Sequence, residues 1–146
     1  MESTFSHFGI CVSDLDRSLR FYRDALGFEK GESHSIDGAF APLMDLVDVA
    51  VTSQFLQKGS TTIELLGFDD PAPYGDRERR PLNQLGLTHL SFRVGDLEAT
   101  AAKVVEFGGT VVDSSRTTID MGGGSLKIVY CTDPDGVRIE LMDLGG

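Results

Sequence analysis

Two stretches decide how this chain is read: His7-Phe8-Gly9-Ile10-Cys11-Val12-Ser13-Asp14-Leu15 and His89-Leu90-Ser91-Phe92-Arg93-Val94-Gly95-Asp96-Leu97, which superpose at an offset of 82 residues. His, Val, Asp and Leu coincide. The match runs on without a gap, Asp16 meeting Glu98, Ser18 meeting Thr100, Asp24 meeting Glu106 and Gly27 meeting Gly109. One structural unit is used twice. In each copy the opening residues alternate, with Phe8, Ile10 and Val12 opposed to His7, Gly9 and Cys11, and Leu90, Phe92 and Val94 opposed to His89, Ser91 and Arg93. A period of two predicts a strand with one apolar face.

Asp14 and Asp96 then stand where an N-cap accepts backbone N–H bonds, and Leu15, Leu19, Tyr22, Leu26 and Leu97, Ala101, Val104 recur at helical spacing. Gly27 and Gly108 supply left-handed stops. Strand patterns follow at 49–56 and 61–68, joined by a turn at Lys58-Gly59, and again at 110–116, 125–132 and 137–142. Asp133-Pro134-Asp135-Gly136 is the turn before the last of them. Residues 36–47 have no counterpart in the second copy, and Pro42, followed by Leu43, Met44, Leu46 and Val47, is placed to open a short helix. The fold class is therefore α+β, with one strand, one helix and about three strands per unit. Unit one covers about 5–68, unit two about 87–144, and a polar, Pro-containing connector spans 69–86, all within a single domain of 146 residues.

The chain has 13 Lys and Arg against 23 Asp and Glu, a net charge of −10, so it lacks the basic surface that a nucleic acid backbone requires. Arg77, Arg79 and Arg80 form a local basic cluster able to act against that field at short range, or a solvated loop. Residues 1–6 show no basic segment followed by an apolar one, and no apolar run approaches the roughly 18 residues of a membrane span. We therefore expect a cytoplasmic protein without a membrane partner. Cys11 and Cys131 lack CxxC spacing and read as small buried fillers.

Four polar residues stand on otherwise apolar strands: His7, His89, Glu64 in Thr62-Ile63-Glu64-Leu65 and Glu140 in Arg138-Ile139-Glu140-Leu141. Burying an unpaired carboxylate is expensive, so such a Glu meets a cation or lines a wet cavity. Taken singly, each Glu reads as part of a solvated strand face and each His as a satisfied imidazole. The duplicated placement, one His and one Glu per repeat, points instead to a divalent first-row metal: Ni, Co, Zn, Mn or Fe. His34, without a repeat partner, reads as a surface residue.

On these residues, with Phe21-Tyr22-Arg23-Asp24, Leu26-Gly27-Phe28 and the Asp133-Pro134-Asp135-Gly136 turn leading to Glu140, the chain resembles the vicinal oxygen chelate superfamily. That superfamily includes glyoxalase I, methylmalonyl-CoA epimerase, extradiol dioxygenases and the fosfomycin and bleomycin resistance proteins. The resemblance implies two tandem βαβββ units forming a U-shaped open barrel around a metal site. It puts His7, Glu64, His89 and Glu140 in the four ligand positions. A carboxylate at the second position is similar to glyoxalase I, and the implied chemistry is that of a metal-dependent lyase or isomerase. It would move a carbon-bound proton on a small oxygenated substrate through an enediolate or enolate, with Glu64 or Glu140 as base. The alternatives are a ligand-sequestering resistance or binding protein of the same fold and an extradiol-type dioxygenase. Glyoxalase I usually has an Arg four residues after its first ligand, where this chain has Cys11; Arg93 holds the mirrored position and is either a substrate-binding group or a structural ion-pair partner. The resemblance also implies a homodimer, with the metal site built within one chain or shared between two.

Overall fold

The computed structural model describes residues 2–145. The first repeat builds β1 (Phe8–Val12), α1 (Leu15–Arg20), β2 (Glu29–Ile36), β3 (Ala50–Lys58) and β4 (Thr61–Asp70). The second builds β5 (Leu90–Arg93), α2 (Leu97–Glu106), β6 (Thr110–Asp120), β7 (Ser125–Thr132) and β8 (Arg138–Asp143). Each set forms one four-stranded mixed sheet, ordered β1-β4-β3-β2 and β5-β8-β7-β6. Within each, the first and last strands pair parallel and the remaining neighbours antiparallel. The α+β class and the duplication are thus observed directly. The described residues group into two compact units that divide after Gly75, with Asp24–Leu26 grouped with the second.

Both helices start as their sequences require. The Asp14 carboxylate accepts from the Arg17 N–H at 2.9 Å and the Asp96 carboxylate from the Ala99 N–H at 2.9 Å, each satisfying a donor that the first turn leaves without a partner. α1 continues as a single π-helical turn over Phe21–Ala25 and stops at Gly27, whose φ of 76° is the left-handed conformation a side chain would resist. In the first unit Ile10, Val12, Phe21, Leu56, Ile63 and Leu65 are buried; in the second, Leu97, Ala101, Val104, Val129, Cys131, Ile139 and Leu141 are. Strand alternation then leaves the other face of each sheet for residues of even number on β4 and β8, Glu64 and Glu140 among them.

Three details differ from the sequence reading. Residues 29–36 form β2, a strand missed because nearly every residue on it is exposed and no apolar alternation marks it. The short helix begins at Gly38, capped by the Asp37 carboxylate on the Ala39 N–H at 3.1 Å, and carries Pro42 inside it, so Pro42 does not open it. It is a 3-10 helix over Gly38–Met44, and with Val49 and Val51 it builds a small second core against Leu66 and Phe68, on the face of β4 that bears Glu64. Cys11, expected as a buried filler, is exposed, because it lies on the His7 face of β1 and not on the Ile10 face; Cys131 is buried as expected.

The turn before β8 is clamped from below. The Asp133 carboxylate accepts from the Asp135 N–H at 2.9 Å and the Val137 N–H at 2.8 Å, and Gly136, at φ 88°, lies so close under the Arg77 carbonyl that a Cβ there would overlap it. Gly136→Ala should therefore lower stability by about 2 kcal/mol or more, against about 1 kcal/mol for removing the Asp96 cap with Asp96→Ala. Denaturant midpoints at constant m value measure both, and a smaller loss for Gly136→Ala would contradict the packing. Burial pushes the Cys131 thiol up to about 11, so it stays protonated at pH 8. A thiol reagent at pH 8 should modify Cys11 in the folded protein and Cys131 only after unfolding. Because the folded thiol holds its proton more tightly than the unfolded one, the Cys131 contribution to stability is complete below pH 9 and declines as pH rises toward 11.

Candidate metal centre

In both units the register does the placing. β1 runs parallel to β4 with Gly9 beside Glu64, and β5 runs parallel to β8 with Ser91 beside Glu140. The His two residues earlier, just ahead of β1 or of β5, shares that face. His7 Nε2 comes to 3.0 Å from Glu64 Oε2, and His89 Nε2 to 3.9 Å from Glu140 Oε2. Both carboxylates are largely buried, with side chains 15% exposed.

The outer atom of each group is held as well. His7 Nδ1 is 2.8 Å from the Ser6 hydroxyl and His89 Nδ1 is 2.9 Å from the Thr88 hydroxyl, a hydroxyl residue immediately before each His. Ser53 donates to Glu64 Oε1 at 2.6 Å and Ser91 donates to Glu140 Oε1 at 2.7 Å. In each unit one ring nitrogen and one carboxylate oxygen therefore face each other while their distal atoms are fixed. Such outer partners set ring orientation and ligand basicity in metal sites. Within each unit an imidazole nitrogen and a carboxylate oxygen turned toward each other make a donor pair of the kind that suits a divalent metal of borderline hardness. Among the described residues no group of three or more His, Cys, Asp or Glu is gathered as a ligand cluster.

The pairs are framed by aromatic rings at matching positions. Phe55 stands beside Glu64 on β3 and meets His7 edge-on at 5.3 Å, while Tyr130 stands beside Glu140 on β7 and meets His89 edge-on at 5.7 Å. Tyr130 stands beside Glu140, and burial, reinforced by the charge of that carboxylate, raises its phenol above the ordinary value. The Arg138 guanidinium lies 4.8 Å over the Tyr130 ring. Sequence reasoning missed Ser6, Ser53, Phe55, Thr88 and Tyr130. A hydroxyl residue directly before each His was the one visible signal; the rest depend on strand register. Arg93 is exposed on the His89 side of β5, and no ion pair to it is seen among the described residues. His34 is exposed, as expected, but stands on β2 opposite Ser53, 3.4 Å from Glu32 and edge-on to Phe55 at 6.1 Å.

Residues 4–141 match the family model of the glyoxalase/bleomycin resistance protein/dioxygenase superfamily. The chain belongs to this superfamily. It is 31% identical to an ethylmalonyl-CoA/methylmalonyl-CoA epimerase of Cereibacter sphaeroides over 97% of this chain and 98% of that one. It is 27% identical to a lactoylglutathione lyase of Haemophilus influenzae over 94% and 90%. Among solved structures, a glyoxalase family protein from Bacillus cereus shares the fold at a TM-score of 0.76 and 21% identity, covering 97% of this chain and 94% of that one. The glyoxalase I of Leishmania major aligns at a TM-score of 0.61 and 25% identity, covering 97% and 87%. The superfamily assignment fits the duplicated sheets.

The Tyr130 contact is open to measurement. A difference titration of phenolate absorbance between the protein and Tyr130→Phe should show one tyrosine with a midpoint above the usual value of about 10. A midpoint at or below 10 would mean that the ring does not face the Glu140 carboxylate.

Proposed function

We propose that the protein is a metal-dependent lyase or isomerase of the glyoxalase I type that moves a carbon-bound proton on a small oxygenated substrate. The observation that carries this reading is the doubled His–Glu pair, His7 with Glu64 and His89 with Glu140, each with its distal atoms held by neighbouring hydroxyls. The names of the relatives, an epimerase and a lyase, support it. A divalent metal held by His7, Glu64, His89 and Glu140 would supply Lewis acidity toward the substrate oxygens.

The chain's own residues supply the proton transfer. A carboxylate serving as base needs an oxygen free to turn toward carbon, and the two are tethered unequally. Each is held at Oε1 by one serine hydroxyl, Ser53 or Ser91, while Oε2 lies 3.0 Å from His7 in Glu64 and 3.9 Å from His89 in Glu140. The wider gap suits Glu140 to the moving role and Glu64 to the anchoring one. Phe55 beside Glu64 limits water on that side, which protects a carbanionic intermediate whose charge spreads onto a neighbouring oxygen as an enolate. Arg93, exposed on the His89 face, is placed to meet substrate. The same reading takes the protein as a homodimer in the cytoplasm, with the four ligands drawn from one chain or shared between two.

The test has two stages. Titrating metal-free protein with Ni, Co, Zn, Mn or Fe(II) should show saturable binding by calorimetry that Glu140→Gln weakens only partly, since an amide oxygen still donates. Exchange of the carbon-bound proton in D2O, followed by NMR on methylmalonyl-CoA and on the hemithioacetal of methylglyoxal with glutathione, should then be lost by about 10²–10⁴-fold in that variant. Absence of saturable metal binding, or full exchange rates in both Glu64→Gln and Glu140→Gln, would overturn the reading.

A further inference from the structure

The edge strand of the first sheet carries an imidazole that the proton transfer does not use. β2 is the strand farthest from β1 in that sheet, and on it His34 lies opposite Ser53, whose hydroxyl donates to Glu64 at 2.6 Å. Residues paired across an antiparallel ladder share a face, so His34 stands on the face that bears Glu64. Two contacts agree with this placement. Ile36, two residues on, packs with the small core around Val51 on the same face. The His34 ring meets Phe55 edge-on at 6.1 Å, and Phe55 in turn meets His7 at 5.3 Å. The imidazole therefore leans inward over β3 and not outward from the sheet edge.

One neighbour decides what that ring can do. His34 Nε2 lies 3.4 Å from Glu32 Oε2, and a carboxylate facing one ring nitrogen draws the ring proton to it. Nδ1 is left with a lone pair, and among the described residues no hydrogen bond reaches it. A bare imidazole nitrogen is an acceptor, so it reads a donor, an O–H or an N–H. An anion is disfavoured at the same place by the Glu32 carboxylate and by the net charge of −10. Strand spacing sets the reach: β2 and β4 are two ladder steps apart, about 10 Å, so a group met by His34 is remote from one met by Glu64. Phe55, beside Glu64 on the intervening β3, offers hydrocarbon surface between them.

We propose that His34, oriented by Glu32, is a specificity-determining residue that accepts a hydrogen bond from a hydroxyl or ammonium group of the substrate, about 10 Å across the sheet from Glu64, with the intervening carbon skeleton lying along Phe55. This deepens the proposed function and rests on it for the word substrate, but the donor-binding site itself is built by the first unit alone.

The test uses metal-free protein, so neither metal nor turnover enters it. Long-range proton–nitrogen correlation spectra at pH 8.5 separate the two imidazole nitrogens of His34, assigned by their disappearance in His34→Leu. Before any addition Nε2 should carry the proton and Nδ1 none, a preference that Glu32→Ala should reduce by about twofold or more. The protein is then titrated with myo-inositol and, separately, with methylammonium chloride, with sodium succinate and sodium chloride at matched ionic strength as controls. A saturable shift of the Nδ1 resonance with inositol or methylammonium, absent with succinate and chloride, is expected, and the probe that produces it tells a hydroxyl from an ammonium. A proton on Nδ1 at the start, the same proton distribution in Glu32→Ala, no saturable shift with either donor, or an equal shift with succinate would overturn the site while leaving metal binding and proton exchange intact. Loss of saturable metal binding in the separate calorimetric test would remove the proposed function and leave this result standing.

Discussion

The site hangs on a parallel strand pair. A carboxylate in the middle of an aliphatic strand is tolerable only if its face is not the core face, and only if something polar waits across the neighbouring strand. The parallel register of β1 with β4, and of β5 with β8, meets both conditions at once. It sends Ile63, Leu65, Ile139 and Leu141 into the buried side and leaves Glu64 and Glu140 opposite strands whose entry residue is His. A slip of one residue would exchange these faces, burying the carboxylates and exposing four aliphatic side chains. Fold and site are therefore specified by the same alternation.

Much of this was legible before any coordinates. The repeat, both helix caps, the Gly27 stop, the turn into β8 and the four residues His7, Glu64, His89 and Glu140 can all be read from the chain, because each rests on local pattern: period two, period 3.6, or a turn chemistry. What was not legible depends on pairing across strands. Ser53 and Tyr130 reach the carboxylates only through the β3–β4 and β7–β8 registers, which no single stretch of sequence reveals. β2 escaped notice for a different reason. Its backbone bonds to β3 while its side chains face solvent, so its strand character resides in hydrogen bonds and not in hydrophobicity.

Exposure of Cys11 follows from the same logic. Once His7 is assigned to the site face, every second residue after it goes there too, and Cys11 joins Gly9 outside the core. Cys131, on β7, has the parity of Val129 and is buried with it. The two thiols differ in strand phase, and composition cannot show that.

Duplication has given the two units one scaffold and different linings. At matching positions Phe55 corresponds to Tyr130, Gly9 to Ser91, Thr62 to Arg138 and Ser53 to Ile128, so the hydroxyl on the first Glu comes from β3 and that on the second from β5, and the second is also flanked by a phenol and a guanidinium. The exchanges move donors between neighbouring strands without changing the strand order. The consequence is that two like His–Glu pairs stand in unlike surroundings. Glu64 lies 3.0 Å from His7 beside a phenyl ring, and Glu140 lies 3.9 Å from His89 beside a phenol that a guanidinium covers. Under the proposed function, proton transfer at carbon calls for two different carboxylates, one mobile and one that anchors, and unequal surroundings are what set two like groups apart. Specialising one copy of a duplicated strand pair supplies that difference while the register that places each pair stays the same.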